Sequence, residues 1–320
     1  MNDNILINQS CDEWLESVQI KLKEPTYANY YNVINSQIKP YFNDFDGEVS
    51  NTAINEMIKH KFTGGRLDGS GGLSAKTVRD IVIILKQVIN FMVKKDYINS
   101  FDYDIVLPKS QNADFEVLTP NEQTLLTSYI KSNFDAQKIG VFFALYAGLR
   151  IGEVCALKWE NIDFHAETIS VTKTLQRIKN TDENATTKTK IIIDEPKSDK
   201  SKRKIPLPPF LIDLLKPFEG VYSDKSFVLT GSTKQFIEPR LYEKIFKRYL
   251  VQAKINNTNF HTLRHTFATR AIEHGFDAKS LSEILGHSSV EFTLKKYVHS
   301  SMDLKKKSME RLSVCYAWAT

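Results

Sequence analysis

Near the C-terminal end of the sequence a tyrosine stands among cations, in Lys295-Lys296-Tyr297-Val298-His299. A phenol is a competent nucleophile once neighbouring positive charge eases its deprotonation, and the flanking lysines favour a phosphate nearby. Upstream lie His287, in Leu285-Gly286-His287-Ser288, and the run His261-Thr262-Leu263-Arg264-His265. On a helix His261 and Arg264 fall on one face, so two cationic or hydrogen-bonding groups converge on one phosphate. His265, near Phe267 and Ala268, is expected on a different face as a packed, hydrogen-bonded core histidine. Arg150 occurs in Gly148-Leu149-Arg150-Ile151-Gly152-Glu153, where glycines permit close backbone approach and Glu153 can brace the guanidinium. Lys197 lies in a basic turn that runs from Pro196 to Pro206 between two strand-like runs, where a flexible lysine can reach a DNA groove.

Taken singly, none of these decides a function. A lone tyrosine is usually structural, arginine followed by glutamate is usually a surface ion pair, and a lysine-rich turn is usually a solvated loop. What carries weight is that all five elements follow one another within one stretch of chain.

The segments that must position them are mainly helical. Residues 1 to about 106 read as helices separated by turns, starting from Trp14, Leu15 and Val18 and continuing through Thr26 to Tyr31, with Pro40 expected to end the second helix. A glycine-rich turn, Gly64-Gly65 to Gly71-Gly72, leads to Ser74 as an N-cap. Val78, Ile81, Leu85, Val88 and Met92 then form one apolar stripe, leaving Lys76, Arg79 and Lys86 as candidate DNA contacts or simply a solvated basic face. Residues 107–116, proline-containing and polar, read as an interdomain linker. Thr119-Pro120-Asn121-Glu122 opens a helical run towards Tyr146. Between about 162 and 206, β-branched runs at 169–172 and 191–193 indicate a small antiparallel sheet with a long hairpin between Gln176 and Ile191, and helical periodicity then returns. Arg240 and Lys244 belong to a segment that lies on DNA or is an ordinary solvated helix. The expected fold is α+β and mainly helical: an all-α domain over 1–106 and, over 117–320, a mixed domain of helices with a small antiparallel sheet.

Composition sets outer bounds. With 320 residues, 42% hydrophobic and 25% charged, the chain can bury two cores, and no apolar run is long enough to span a bilayer. Met1-Asn2-Asp3-Asn4 lacks the basic and apolar regions of a secretory signal, so a cytoplasmic location is expected. Cys11, Cys155 and Cys315 form no CxxC pair and read as structural thiols. A net charge of +5 is compatible with a polyanionic partner without indicating one.

Together, Arg150, Lys197, His261-x-x-Arg264, His287 and Tyr297, with the phrases Ala147 to Glu153 and Leu285 to Ser288, resemble the active-site set of the tyrosine recombinase, or phage integrase, family. The segments Thr26 to Phe42 and Leu73 to Ile98 look like that family's helical core-binding domain. The resemblance implies that Tyr297 attacks the scissile phosphate to give a 3′-phosphotyrosine while Lys197 protonates the departing 5′ oxygen. Arg150 and Arg264 would hold the nonbridging oxygens, His261 would move the phenol proton, His287 would donate to the phosphate, and Glu153 would support. It implies no cofactor and no metal, because the bond energy is kept in the phosphotyrosine. The implied partners are double-stranded DNA clamped by two domains, a homotetramer with exchange of the C-terminal tail, and an accessory excisionase.

The 176–191 hairpin looks like insertions in integrases of conjugative transposons, which favours a mobile element over Xer-like chromosome or plasmid resolution. A topoisomerase-like relative and a noncatalytic DNA-binding descendant are the other readings. An additional small N-terminal domain of the kind many integrases use to bind distant arm sites is not found within these residues. In the tail, Leu312, Val314, Tyr316 and Trp318 alternate with smaller residues, as a strand with one apolar face would.

Overall fold

The computed structural model describes residues 3–43, 48–109, 115–132, 134–182, 184–195 and 201–298, with helical positions beyond them at 306, 309 and 310. Lys197, residues 110–114 of the expected linker, and the alternating tail from Leu312 lie outside the described residues. The chain divides into two compact units, Met1–Ala113 with Ile178–Lys190, and Asp114–Arg177 with Ile191–Thr320.

In the first unit the helices are α1 (Asp3–Gln19), α2 (Glu24–Val33), α3 (Lys39–Asn43), α4 (Asn51–Gly64) and α5 (Ala75–Lys94). Ser74 caps α5, its hydroxyl accepting from the Thr77 N–H at 3.1 Å. The expected stripe of α5 is buried in full and is widened by Val82, Ile84 and Ile89, packing against Trp14, Ile34, Phe42 and Met57. On the opposite side Lys76 is exposed, Arg79 is partly so, and Lys86 places its ammonium 4.4 Å from the centre of the Tyr103 ring. Pro40 does not end the second helix. A five-residue π turn, Ile34–Ile38, carries α2 into α3, with the Lys39 N–H donating to the Ile34 carbonyl, and Pro40 takes the second position of α3. Restarting the helix there admits a residue without an N–H at little cost.

The second unit begins with α6 (Pro120–Ser132), closed by a capping box: the Thr119 hydroxyl accepts from the Glu122 N–H at 3.2 Å, and the Glu122 carboxylate accepts from the Thr119 N–H at 2.9 Å. The helical run expected to reach Tyr146 restarts at Asp135, whose carboxylate caps α7 (Ala136–Ala147). Helix α7 is apolar on nearly every side, with Ile139, Val141, Phe142, Phe143 and Leu145 buried, and it packs against α11 (His261–Glu273) at the centre of the unit.

Helix α8 (Ile151–Ala156) follows, then two small sheets rather than one. Strands β1 (Ile162–Asp163), β2 (Thr168–Val171) and β5 (Arg203–Pro206) pair antiparallel in the order β1-β2-β5, with Ile169 opposite Ile205. Strands β3 (Thr174–Lys179) and β4 (Thr189–Asp194) form the second sheet, whose residues from Ile178 to Lys190 are counted with the first unit. Ile169, Val171 and Ile205 are buried on one face, as period-two alternation requires. Helices α9 (Pro209–Leu215), α10 (Pro239–Gln252), α12 (Ala278–Leu285) and α13 (Val290–Tyr297) complete the unit. Helix α10 buries Tyr242, Ile245, Phe246 and Leu250 and leaves Arg240 and Lys244 exposed. No described helix is long and apolar enough to cross a membrane.

Gly148 ends α7 in the left-handed region, φ +68°, and a Cβ there would lie 2.7 Å from the Phe267 ring and 2.8 Å from Leu285. Backbone strain and overpacking therefore act together, and Gly148→Ala is expected to destabilise the protein by about 2–5 kcal/mol. Urea titration of purified wild type and variant checks this, and a loss under half a kcal/mol would contradict the packing described.

Candidate active site

One buried carboxylate organises the basic residues. Glu153, on α8, is only 3% exposed and accepts four hydrogen bonds. The Arg150 backbone N–H and its Nη1 each donate at 2.8 Å, while Nη1 and Nη2 of Arg203 donate at 3.0 and 2.9 Å. Burial alone would raise its pKa. The Arg203 hydrogen bonds and charge, followed by Arg150 and Arg264, outweigh burial and hold it at about 2. Arg150 directly precedes α8 and keeps its other arm, Nη2, only 3.4 Å from the Gly286 carbonyl.

Arg264, on α11, is almost fully buried, yet it bonds no carboxylate. Its Nη1 donates to the Gly148 carbonyl at 2.7 Å and its Nη2 to the Leu285 carbonyl at 2.6 Å. Both acceptors lie at C-terminal ends of helices, α7 and α12, where unpaired carbonyls carry the negative end of the helix dipole. Burial, then repulsion from Arg150, lowers the Arg264 pKa to about 9, so it stays charged at neutral pH.

Tyr297, the last residue of α13, is buried, and its hydroxyl lies 2.7 Å from Nδ1 of His265. Its ring packs on Phe115 with centroids 5.2 Å apart and lies parallel to His287 at 6.2 Å. Burial raises the phenol to about 12, against the opposing charges of Arg264 and Arg150. His287 is anchored through Nδ1 to the Thr293 hydroxyl at 2.7 Å. Burial first, then Arg264 and Arg150, hold His287 at about 3. His265 is also lowered to about 3, by burial and then by Lys296, so both rings are neutral near pH 7.

The expectation that His265 occupies a different face from His261 is corrected. The two lie one turn apart on the same side of α11, with ring centroids 4.5 Å apart. His265 is buried and hydrogen-bonded, as expected, but its partner is the phenol of Tyr297.

The structure thus brings together Arg150, Glu153, His261, Arg264, His287 and Tyr297 from four helices and their ends. A cleft of about 280 Å³ opens on Arg150, Ser201, Gly286, His287, Ser288 and Phe292. A second, about 430 Å³, joins Arg150 to Arg177, Arg240 and His261. Lys244 sits on the exposed side of the same helix as Arg240, while Lys76, Arg79 and Lys86 belong to the other unit. Sequence reasoning missed Arg203, which stands in the basic turn among lysines that drew attention to Lys197. Its place in a strand, two residues before buried Ile205 and so on the same face, was the available signal. Among the described residues, no group of three or more histidine, cysteine or carboxylate side chains is placed to hold a metal ion.

A buried tyrosine beside converging arginines and histidines is the arrangement that phosphoryl transfer to a phenol oxygen requires. The sequence profile of the phage integrase family matches residues 116–303, and that of the phage integrase N-terminal SAM-like domain matches residues 7–46. The chain belongs to the phage integrase family, the tyrosine recombinases. It is 29% identical over 263 residues to a XerC-like tyrosine recombinase of Caldanaerobacter subterraneus, covering 76% of this chain and 67% of the relative. It is 24% identical over 312 residues to the ICEBs1 integrase of Bacillus subtilis, covering 93% and 80%. In fold it matches the Tn1549 transposon integrase in complex with transposon right end DNA at a TM-score of 0.71, with 24% identity over 95% of this chain and 99% of the other.

The electrostatics predict acid lability. Glu153 is held at about 2 against an ordinary 4.5, so its stabilising contribution is full above about 4.5 and is lost as pH falls through 2. That contribution is on the order of 3 kcal/mol. Urea titrations from pH 2 to 7 should show unfolding free energy falling over this window, and Glu153→Gln should remove that component of the slope. An identical slope in the variant would mean that the Glu153 pairing does not set it.

Proposed function

We propose that this protein is the integrase of a mobile element of the conjugative-transposon kind, cutting and rejoining duplex DNA at a specific site through a 3′-phosphotyrosine on Tyr297. The observation that carries the reading is the convergence of Tyr297, His287, Arg264 and Arg150 around the Leu285-Gly286 turn. Arg150 and Arg264 hold the nonbridging oxygens of the scissile phosphate, aimed at charge that grows as the pentavalent transition state forms. With Nδ1 accepting from Thr293, His287 donates to the phosphate from Nε2. Lys197 protonates the 5′ oxygen as it leaves.

Proton handling at the nucleophile belongs to the His261–His265 pair, His261 by its place in the family motif and His265 by its bond to the phenol. With the phenol at about 12, forming free phenolate at neutral pH before attack would cost about 7 kcal/mol. The proton therefore leaves as the oxygen bonds to phosphorus, when no free phenolate charge has to be carried.

The mobile-element reading draws support from the ICEBs1 integrase, whose similarity runs along 93% of this chain, and from the Tn1549 fold. The helical unit is the core-binding domain, with residues 107–116 as its link to the catalytic domain. Lys76, Arg79 and Lys86 of that unit, and Arg240 and Lys244 of the catalytic unit, make phosphate contacts. The protein acts in the cytoplasm as a homotetramer on synapsed sites, with an excisionase as accessory partner.

In that assembly the C-terminal tail of each subunit docks on its neighbour. An apolar cleft of about 960 Å³ in the catalytic unit, lined by Leu145, Tyr146, Phe210, Phe267, Phe276 and Ile284, offers a receiving surface for Tyr316 and Trp318.

A nicked suicide duplex carrying the attachment site, incubated in EDTA, should trap a covalent protein–DNA adduct with wild-type protein. Tyr297→Phe should bind the same duplex and give none. An adduct that persists in Tyr297→Phe removes the assigned nucleophile, and a strict divalent-metal requirement removes the mechanism. Deleting residues from Ser313 onward should impair synapsis and cooperative binding more than binding to one half-site. Normal tetramers and normal recombination by the truncated protein would end the tail-exchange reading.

A further inference from the structure

Arg203 opens β5 with its side chain 5% exposed and turned to the same side as buried Ile205. Its planar guanidinium bonds three separate stretches of chain. Nη1 and Nη2 donate to the two oxygens of Glu153, Nη1 also donates to the Ser201 carbonyl at 3.1 Å, and Nε donates to the Ile284 carbonyl. The turn at Gly286 closes directly on it, since a Cβ at that glycine would stand 3.1 Å from the Arg203 Cδ. Two of these stretches border a residue of the site: Glu153 bonds Arg150, and Ile284 lies in the last turn of α12, just before His287.

We propose that Arg203 is a positioning residue for DNA cleavage, one that leaves an arm of Arg150 available to the phosphate and holds the turn carrying His287. The proposal rests on the reading of Arg150 and His287 as phosphate ligands.

The charge that satisfies Glu153 decides how much of Arg150 remains for the cleft. A buried carboxylate must be paired, and a bidentate guanidinium is its best partner. Arg203 fills that role with both Nη groups, so Arg150 needs to contribute only Nη1 and its backbone N–H. The Nη2 of Arg150 is left with a 3.4 Å contact to the Gly286 carbonyl, at the outer limit of a hydrogen bond, and the side chain is 36% exposed. Without Arg203, the same carboxylate would draw both arms of Arg150 inward and away from the cleft. Lysine at 203 would keep the charge, but a single ammonium cannot span both carboxylate oxygens and two carbonyls in one plane.

Single-turnover cleavage of the suicide duplex, with half-site affinity and thermal melting measured alongside, tests this in Arg203→Lys, Glu153→Gln and the double variant. Arg203→Lys should lower the melting temperature and, at temperatures where it is still folded, slow cleavage roughly 10–100-fold, the scale of a small misplacement of a reacting group, while half-site affinity stays near wild type. Because Arg203 and Glu153 share one of these contacts, the double variant should lose less than the product of the two single losses. Wild-type cleavage by Arg203→Lys, multiplied losses in the double variant, or an Arg203→Lys protein that unfolds or loses affinity in step with rate would each overturn the positioning role. Wild-type protein that gave no adduct would instead overturn the reading of Arg150 on which the proposal stands.

Discussion

The Glu153 carboxylate, buried and bonded by two arginines, is the constraint on which the rest of the site depends. A lone negative charge in a protein interior is costly, and this one is tolerated because four N–H groups point at it. The surrounding architecture follows from meeting that demand. Helix α8 begins where it does so that the Arg150 N–H reaches the carboxylate, and β5 enters the sheet with Arg203 facing inward. The turn after α12 lies against the same guanidinium. Three arginines, Arg150, Arg203 and Arg264, thus gather round one carboxylate, and the surplus positive charge is what a phosphodiester would meet.

The nucleophile is kept in the opposite condition. Tyr297 is packed between aromatic rings and bonded to a neutral histidine, so the free protein holds it protonated. Burial raises the phenol while the arginines pull it down, and burial wins in the absence of DNA. The two halves of the chemistry are therefore stored differently. The positive charge is permanent and pre-arranged, whereas the reactive oxygen is held back until phosphorus is within bonding reach.

Much of this was legible in the residues and their order. Local rules hold at the α5 stripe, the Ser74 cap and the Thr119–Glu122 box, because each depends on neighbours within a turn of chain. The active-site set was legible because the spacing of His261 and Arg264 survives in any helix. What escaped depends on contacts between distant segments. Pro40 reads as a terminator, and only a widened turn at Ile34–Ile38 admits it. His265 reads as core and is core, but its bond to Tyr297 spans 32 residues of sequence. Arg203, in a run of lysines, shows locally no more than its strand register with Ile205, because its partners come from 50 and 81 residues away. The pairing order β1-β2-β5, with β3 and β4 in a separate sheet, is likewise set by burial of Ile169 and Ile205 rather than by adjacency.

Arg264 is held by two main-chain carbonyls where a carboxylate would have been the commoner partner. An ion pair cancels the charge it holds, so that an incoming anion must first compete with the resident one. Dipoles orient a cation while leaving its monopole field uncancelled, and that field still extends into the cleft. The ends of α7 and α12 thus serve as an insulated mount, gripping the guanidinium without discharging it. The site keeps a standing potential for phosphate that needs no counter-ion to be evicted when DNA arrives.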